Sequence, residues 1–285
     1  MNDLRQSPQY ARYLRLLGWQ VEEIDNCYIF IRKIPFLPFS IIKVQRPPKI
    51  PFEKIEKLAE KHRAIKITIE PTDNTLIYYH QTLTRLGYKL SASPFLPTKT
   101  LRIDLTQSEN KIFKQMKKKT RYALRKAQKN NLRIEEAKDI ASLIHLKSPR
   151  LSPFYFFTKK EIESLWQAFY PANASLLLSY FNTSKKPLAG VLLLFYQKTA
   201  YYFLAGATKE GKRLGAPTLL VWEAIKLAKK RGCQVFDFEG IYDERFPITS
   251  WKGFTHFKKG FGGKEIEYPG CFVKNRLPFS SPCFA

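Results

Sequence analysis

Acidic residues are scarce in this chain. Only 24 Asp and Glu stand against 49 Lys and Arg, which leaves a formal charge of +25. An excess of this size repels itself in a compact state and suits a polyanionic partner: nucleic acid, a phosphorylated substrate or an anionic membrane. A lysine-biased proteome, or a thermophile's, gives a similar balance. Histidine and cysteine are equally thin, at four each. Cys27, Cys233, Cys271 and Cys283 form no CxxC pair, which argues against a zinc site or any metal centre and suits reduced thiols in the cytoplasm. Long apolar runs are missing too. The greasiest stretch, residues 27–44, is broken by Arg32, Lys33, Pro35 and Pro38. It falls short of the ~18 apolar residues a membrane span needs and reads as a pair of strands. The N-terminus carries charge throughout and shows no apolar core of a signal peptide.

What is present is greasy and aromatic: 44% of the 285 residues are apolar, with 22 Phe and 15 Tyr. A large core is within reach, and the length suits one large domain or two ordinary ones. Ser7 and Pro8 read as the cap and first residue of a helix that Gly18 ends. Short β runs at 27–34 and 40–44, a helix at 52–64, a strand at 65–71, a helix at 75–90 and a strand at 98–105 follow. Between Lys111 and Lys129 nine residues are basic and none is acidic, while Ile112, Met116, Ala123 and Ala127 recur at helical spacing. One basic helix is expected there. Its like charges cost a few tenths of a kcal/mol per pair unless a partner or packing offsets them.

The second half holds a helix at 159–171, three strands in a meander, a glycine-bearing loop entering a long helix, and the strand "QVFDFEGI". That order is the layout of an acyl-CoA N-acyltransferase (GNAT) domain, and the first half carries a weaker version. The expected fold is therefore α/β (α+β), with two tandem GNAT-like subdomains of mixed sheets flanked by helices. The expected boundaries are 1–135 for the first, completed by the C-terminal segment 268–285, and 136–267 for the second. CoA-dependent members hold the pyrophosphate on bare amides where their glycine-rich loop meets a helix N-terminus. In "EGKRLGAPTLL" Gly215 keeps the last glycine, but Glu210 and Arg213 occupy positions that such a loop gives to Arg or Gln and to Gly. No acetyl-CoA and no other cofactor is expected.

Three stretches, "MKKKTRYALRKAQKNNLRIEE", "YYFLAGATKEGKRLGAPTLLVWEAIKLAKKRGCQVFDFEGI" and "SWKGFTHFKKGFGGKEIEYPG", together resemble the FemABX family of peptidoglycan bridge-forming aminoacyltransferases. The resemblance implies the compact form, without a helical arm. It also implies transfer of Gly, Ala or Ser from an aminoacyl-tRNA to the stem-peptide amine of a UDP-linked or lipid-linked peptidoglycan precursor. The implied setting is a monomer in the cytoplasm, with possible peripheral contact at the anionic inner face of the membrane. One departure stands out: the family strand ends Asp-Phe-Gly-Gly, and here Glu239 replaces the first of those glycines.

Aminoacyl transfer needs positioning, a sink for developing negative charge and a route for the amine's proton. In the resemblance Lys258 sits at the tRNA 3′ end as that sink, with Phe257 packing on the terminal adenine and Gly260, Gly262 and Gly263 turning the chain tightly behind. Arg213 and Lys212 are the expected phosphate contacts, joined by Arg46 and Lys43. Asp104 stands near the attacking amine, or else caps the next helix from its strand end. Asp237 orients the loop that follows it. No Ser/His/Asp or Cys/His set has the spacing of a covalent mechanism. Two competing readings stay open: an N-acetyltransferase on another amine, and a non-catalytic nucleic-acid-binding protein on the same fold.

Overall fold

The computed structural model describes residues 2–72, 76–146 and 157–276, and the chain divides into two compact units, Met1–Thr98 with Glu267–Ala285, and Lys99–Ile266. The first runs α1 (Pro8–Leu16), β1 (Gln20–Ile24), β2 (Cys27–Lys33), β3 (Ser40–Gln45), α2 (Phe52–Lys61), β4 (Ala64–Glu70), α3 (Leu76–Arg85) and β5 (Lys89–Leu90). The last strand in the chain, β13 (Phe272–Asn275), enters this sheet between β4 and β5, giving the order β1-β2-β3-β4-β13-β5. Only β3 and β4 pair in parallel. The Ser7 hydroxyl accepts from the Tyr10 amide, so the cap read from the sequence is in place. Strand β1 was not recognised from the sequence; its Glu22 and Glu23 charge an edge strand, which discourages further pairing.

Strand β2 is buried on both faces because a helix covers each. Phe30 meets Tyr10 of α1 edge-on at 6.0 Å. On the other face Cys27, Ile29 and Ile31 join Ile55, Leu58 and Ala59 of α2 in one core. Residues 277–285 of the expected returning segment, Cys283 among them, lie outside the described residues.

The second unit comprises β6 (Lys99–Asp104), α4 (Glu109–Gln115), α5 (Lys118–Gln128), β7 (Leu132–Ala137), α6 (Ala141–Leu146), α7 (Lys159–Phe169), β8 (Ala174–Phe181), β9 (Pro187–Tyr196), β10 (Thr199–Ala207), α8 (Lys209–Leu214), α9 (Ala216–Lys230), β11 (Val235–Gly240), α10 (Trp251–Lys259) and β12 (Lys264–Glu267). Its sheet order is β12-β6-β11-β10-β9-β8-β7. The boundary expected at residue 135 thus moves back to 98. Strand β6 pairs antiparallel with β11, and β7 with β8, so residues 99–135 build the second sheet. Local pattern shows that a strand exists; it does not show which strand will accept its hydrogen bonds.

The single basic helix is two helices. Met116 and Lys117 are extended, and the Lys117 amide is taken by the Gly260 carbonyl at 2.9 Å instead of by its own helix. Arg121 donates to the carbonyls of Lys114 and Met116 across the break. Ile112, Met116 and Ala127 are buried as their spacing predicts, and Ala123 is half-buried.

Candidate active site

Strands β10 and β11 pair in parallel over three residues only, ending at Tyr201 opposite Asp237. Beyond that point β10 goes on with β9, and β11 goes on with β6 through an irregularity between Asp237 and Gly240. The irregularity is Glu239, held at φ +59. A left-handed residue adds a bulge that pushes the strand out of register, and glycine takes that conformation without penalty. The glutamate therefore stands at the one position of this strand end where backbone geometry favours glycine.

Asp237 fixes the bulge. Its carboxylate is buried and accepts from Thr100 Oγ1, from Arg102 Nε at 2.7 Å and from the Glu239 amide at 2.8 Å. The single Thr100 hydroxyl hydrogen lies between that carboxylate and the Glu239 carbonyl. These bonds tie Asp237 to the backbone of the residues that follow it. Thr100 and Arg102 were missed, yet the signal was there: Leu101, Ile103 and Leu105 alternate into the core, which puts Thr100, Arg102 and Asp104 on the opposite face.

The carbonyls of Phe238 and Gly240, beyond the last β10 pair, are taken by Lys258, whose Nζ donates to them at 2.8 and 2.7 Å. Trp251, Thr255 and Lys258 form the buried face of α10, at the spacing of one helix stripe. The ammonium sits over the Phe254 ring at 4.8 Å and 5.7 Å from the Tyr202 ring. Burial pushes its pKa down to about 8, against the opposing pull of Glu239 and Asp237. Lysine has three donors, and two are committed to these carbonyls.

"FTHFKKGFGG" is therefore the end of a helix and the turn that leaves it. Its glycines serve packing: a Cβ at Gly260 would fall 2.4 Å from Thr120 Oγ1, and one at Gly263, where φ is +102, 2.5 Å from the Arg102 carbonyl. Phe257 packs edge-on against Phe261 at 5.3 Å and is half-buried. The ring over the Lys258 ammonium is that of Phe254, which remains 37% exposed.

Each of the other candidates has its own surroundings. Asp104 is exposed at the end of β6, where bonds from the Thr106 hydroxyl, Gln107 and the Thr106 amide hold its carboxyl below the usual value. The alternative, capping of the next helix, falls to Ser108, whose hydroxyl accepts from the Lys111 amide; Asp104 closes a turn ahead of it and is a weak base. Arg213 and Lys212 are exposed on α8, Arg213 facing Glu210 at 3.9 Å. Arg46, expected on a phosphate, is instead buried, with its guanidinium on the carbonyls of Pro71 (2.8 Å) and Pro97 (2.6 Å) and over the Tyr268 ring at 3.3 Å. Lys43 stands over the Trp19 ring at 4.1 Å. Gly215 leaves no room at the start of α9, because a Cβ there would lie 2.9 Å from that of Ala127 on α5. Burial pushes the Cys27 and Cys271 thiols up to about 12, so neither offers a thiolate at neutral pH.

Residues 174–280 match the model of the FemAB family. A curated relative, the aminoacyltransferase FemA of Staphylococcus aureus, is 27% identical over 84 residues, 30% of this chain. The match spans about a fifth, 19%, of that relative's length. Among solved structures, FemX superposes with a TM-score of 0.80 at 18% identity, covering 96% of this chain and 92% of FemX. The C-terminal domain of a putative lysylphosphatidylglycerol synthetase from Agrobacterium fabrum gives 0.62 at 15%, covering 96% and 89%. A tandem GNAT protein from the clavulanic acid biosynthesis pathway gives 0.54 at 9%, covering 87% and 78%. At such identities the likeness carries the fold, which is the mixed α/β, tandem GNAT-like one expected from the sequence.

Proposed function

From a chain that carries a FemAB-family segment, we propose an aminoacyl-tRNA-dependent aminoacyltransferase that acylates the stem-peptide amine of a peptidoglycan precursor. The observation that carries the reading is Lys258: a buried ammonium with two hydrogens bound to the β11 bulge, inside the family-matched segment. In the reaction the neutral amine attacks the ester carbonyl. A C–N bond forms, the C–O bond to the ribose breaks, and the amine's proton ends on the ribose oxygen. Lys258 directs its third N–H at the oxyanion and hands a proton to the departing oxygen, taking the amine's in return. A pKa of about 8 leaves it protonated at neutral pH and still able to give the proton up. Asp237 and Thr100 position this lysine through the bulge. The tRNA ester is already activated, so no covalent enzyme intermediate is required.

Lys212 and Arg213 are the exposed cations for the precursor's diphosphate; Arg46 is buried on two carbonyls. Phe254, more than Phe257, offers its face to the terminal adenine, where stacking gives ~1–3 kcal/mol. Lys118, Lys119, Arg125, Lys126 and Lys129 are all exposed on or just beyond α5, beside an exposed Tyr122, and suit the tRNA backbone. The setting is a cytoplasmic monomer. An acetyl-CoA-dependent reading is disfavoured by α5 closing on Gly215, where a pyrophosphate would approach α9.

The test is transfer of radiolabelled amino acids from a mixed pool of charged tRNA, with UDP-linked pentapeptide and lipid-linked precursor offered side by side. Label on either precursor is expected, and its identity names the donor. No label on either, with salt-sensitive tRNA binding retained, would replace this reading with the binding-protein one. Thermal stabilisation by acetyl-CoA would replace it with the acetyltransferase.

A further inference from the structure

The connection between β2 and β3 is short and tight. The Leu37 amide bonds the Ile34 carbonyl at 3.2 Å, and the Ile34 amide bonds the Phe39 carbonyl at 2.9 Å. Ile34-Pro35-Phe36-Leu37 is thus a β-turn with proline second and a left-handed third residue, Phe36 at φ +63. Such turns take glycine at the third place. A phenylalanine there is an outlier, and outliers of this kind mark function more often than chance.

The ring at that place touches nothing. Phe36 is fully exposed, at 104% of its reference area, and Leu37 is 53% exposed. Pro35 and Pro38 beside them are also exposed. The tip is ringed by cations. Arg32 and Lys33 are exposed at the end of β2. Lys61 and Arg63 are exposed next to the hairpin base, where the Ser40 amide bonds the Arg63 carbonyl and the Ser40 hydroxyl bonds the His62 carbonyl. From Asn26 to Phe52 the chain has five Lys and Arg and no acid. Glu60, the acid nearest Lys61 in the chain, faces Arg276 at 3.9 Å.

We propose that the Ile34–Leu37 turn is a membrane wedge: Phe36 and Leu37 enter the headgroup boundary of a bilayer rich in anionic lipid, and Arg32, Lys33, Lys61 and Arg63 rest on its phosphates. Charge complementarity and shape select this occupant. Two apolar side chains on a convex tip fall far short of the roughly 1,000 Å² that a stable protein interface buries. A bilayer needs no matching pocket, only apolar depth and negative charge. Pro35 and Pro38 hold the backbone before insertion, so little order is lost on binding. This hairpin alone carries the inference, which stands apart from the transfer reaction.

Sedimentation of the full chain with sucrose-loaded vesicles tests it, using an equal mixture of phosphatidylglycerol and phosphatidylcholine against phosphatidylcholine alone. Binding to the anionic vesicles is expected, weakened by salt. Phe36→Gly with Leu37→Ser should weaken it at least about tenfold, the factor implied by losing two buried apolar side chains. The thermal midpoint should hold, since glycine is the residue this turn prefers. If the double variant melts early, Phe36→Gly alone decides the outcome. Unchanged vesicle binding in the variants would assign the contact to basic surface elsewhere and overturn the proposal. So would no binding to anionic vesicles, or a tip-dependent self-association without them.

Discussion

Among the described residues, both units bury a cation on a pair of main-chain carbonyls, and the two cations differ in chemistry. In the first unit Arg46 reaches the carbonyls of Pro71 and Pro97 and stacks on Tyr268. In the second, Lys258 reaches those of Phe238 and Gly240 with Phe254 and Tyr202 around it. The seats are alike; the side chains are not. A guanidinium stays charged at any working pH and joins segments of chain as a fixed cross-brace. A buried ammonium loses solvation, its pKa falls to about 8, and it becomes a group that can exchange a proton. On the proposed reaction, the same local environment would make a structural part from arginine and a chemical one from lysine.

Removing each cation should separate those uses. Lys258→Ala is expected to lower the transfer rate about 100- to 1000-fold, the cost of losing one positioned donor to an oxyanion. Single-turnover kinetics, with circular dichroism to show retained folding, would check it; full activity would end the catalytic assignment. Arg46→Ala should act on stability instead, by about 2–4 kcal/mol, because two buried carbonyls lose their partner. Denaturant melts would measure it, and a variant that folds normally but binds precursor poorly would return Arg46 to the phosphate site.

The pH profile sharpens the contrast further. Lys258 is charged below about 8 and neutral above, so the rate should fall as pH rises through that value, approaching tenfold per unit. Lys258→Arg keeps its charge throughout, so whatever activity it retains should show no such limb. The smallest effect is expected at the bulge. Glu239→Gly relieves a left-handed glutamate and should stabilise the fold by up to about 1 kcal/mol in thermal melts. It also removes the charge that most strongly holds the Lys258 pKa up, so the limb should move to lower pH. A limb that stays in place would mean that another group titrates there.

Much of this was legible in advance. The Ser7 cap, most of the strands and the tandem GNAT-like layout all came from pattern and motif, because caps and periodicity are local. Glu239 was visible as a departure, but only its backbone conformation shows why glycine belongs there. Arg46 looked like an exposed phosphate ligand because sequence does not reveal burial. The glycines after Lys258 were read as a tight turn, and each also lies where another segment passes close by. The basic stretch kept its apolar spacing and lost its continuity, since Gly260 claims an amide in the middle.

By itself the sequence determined the charge, the elements and the residue types available for chemistry, all of which depend on neighbours in the chain. Tertiary structure decided that residues 99–135 belong to the second sheet, that Arg46 is buried on two carbonyls, and that Lys258 fills the carbonyls where β10 and β11 part. Those outcomes depend on hydrogen bonds between segments far apart in sequence. Which distant partner meets a carbonyl is settled only when the chain has folded.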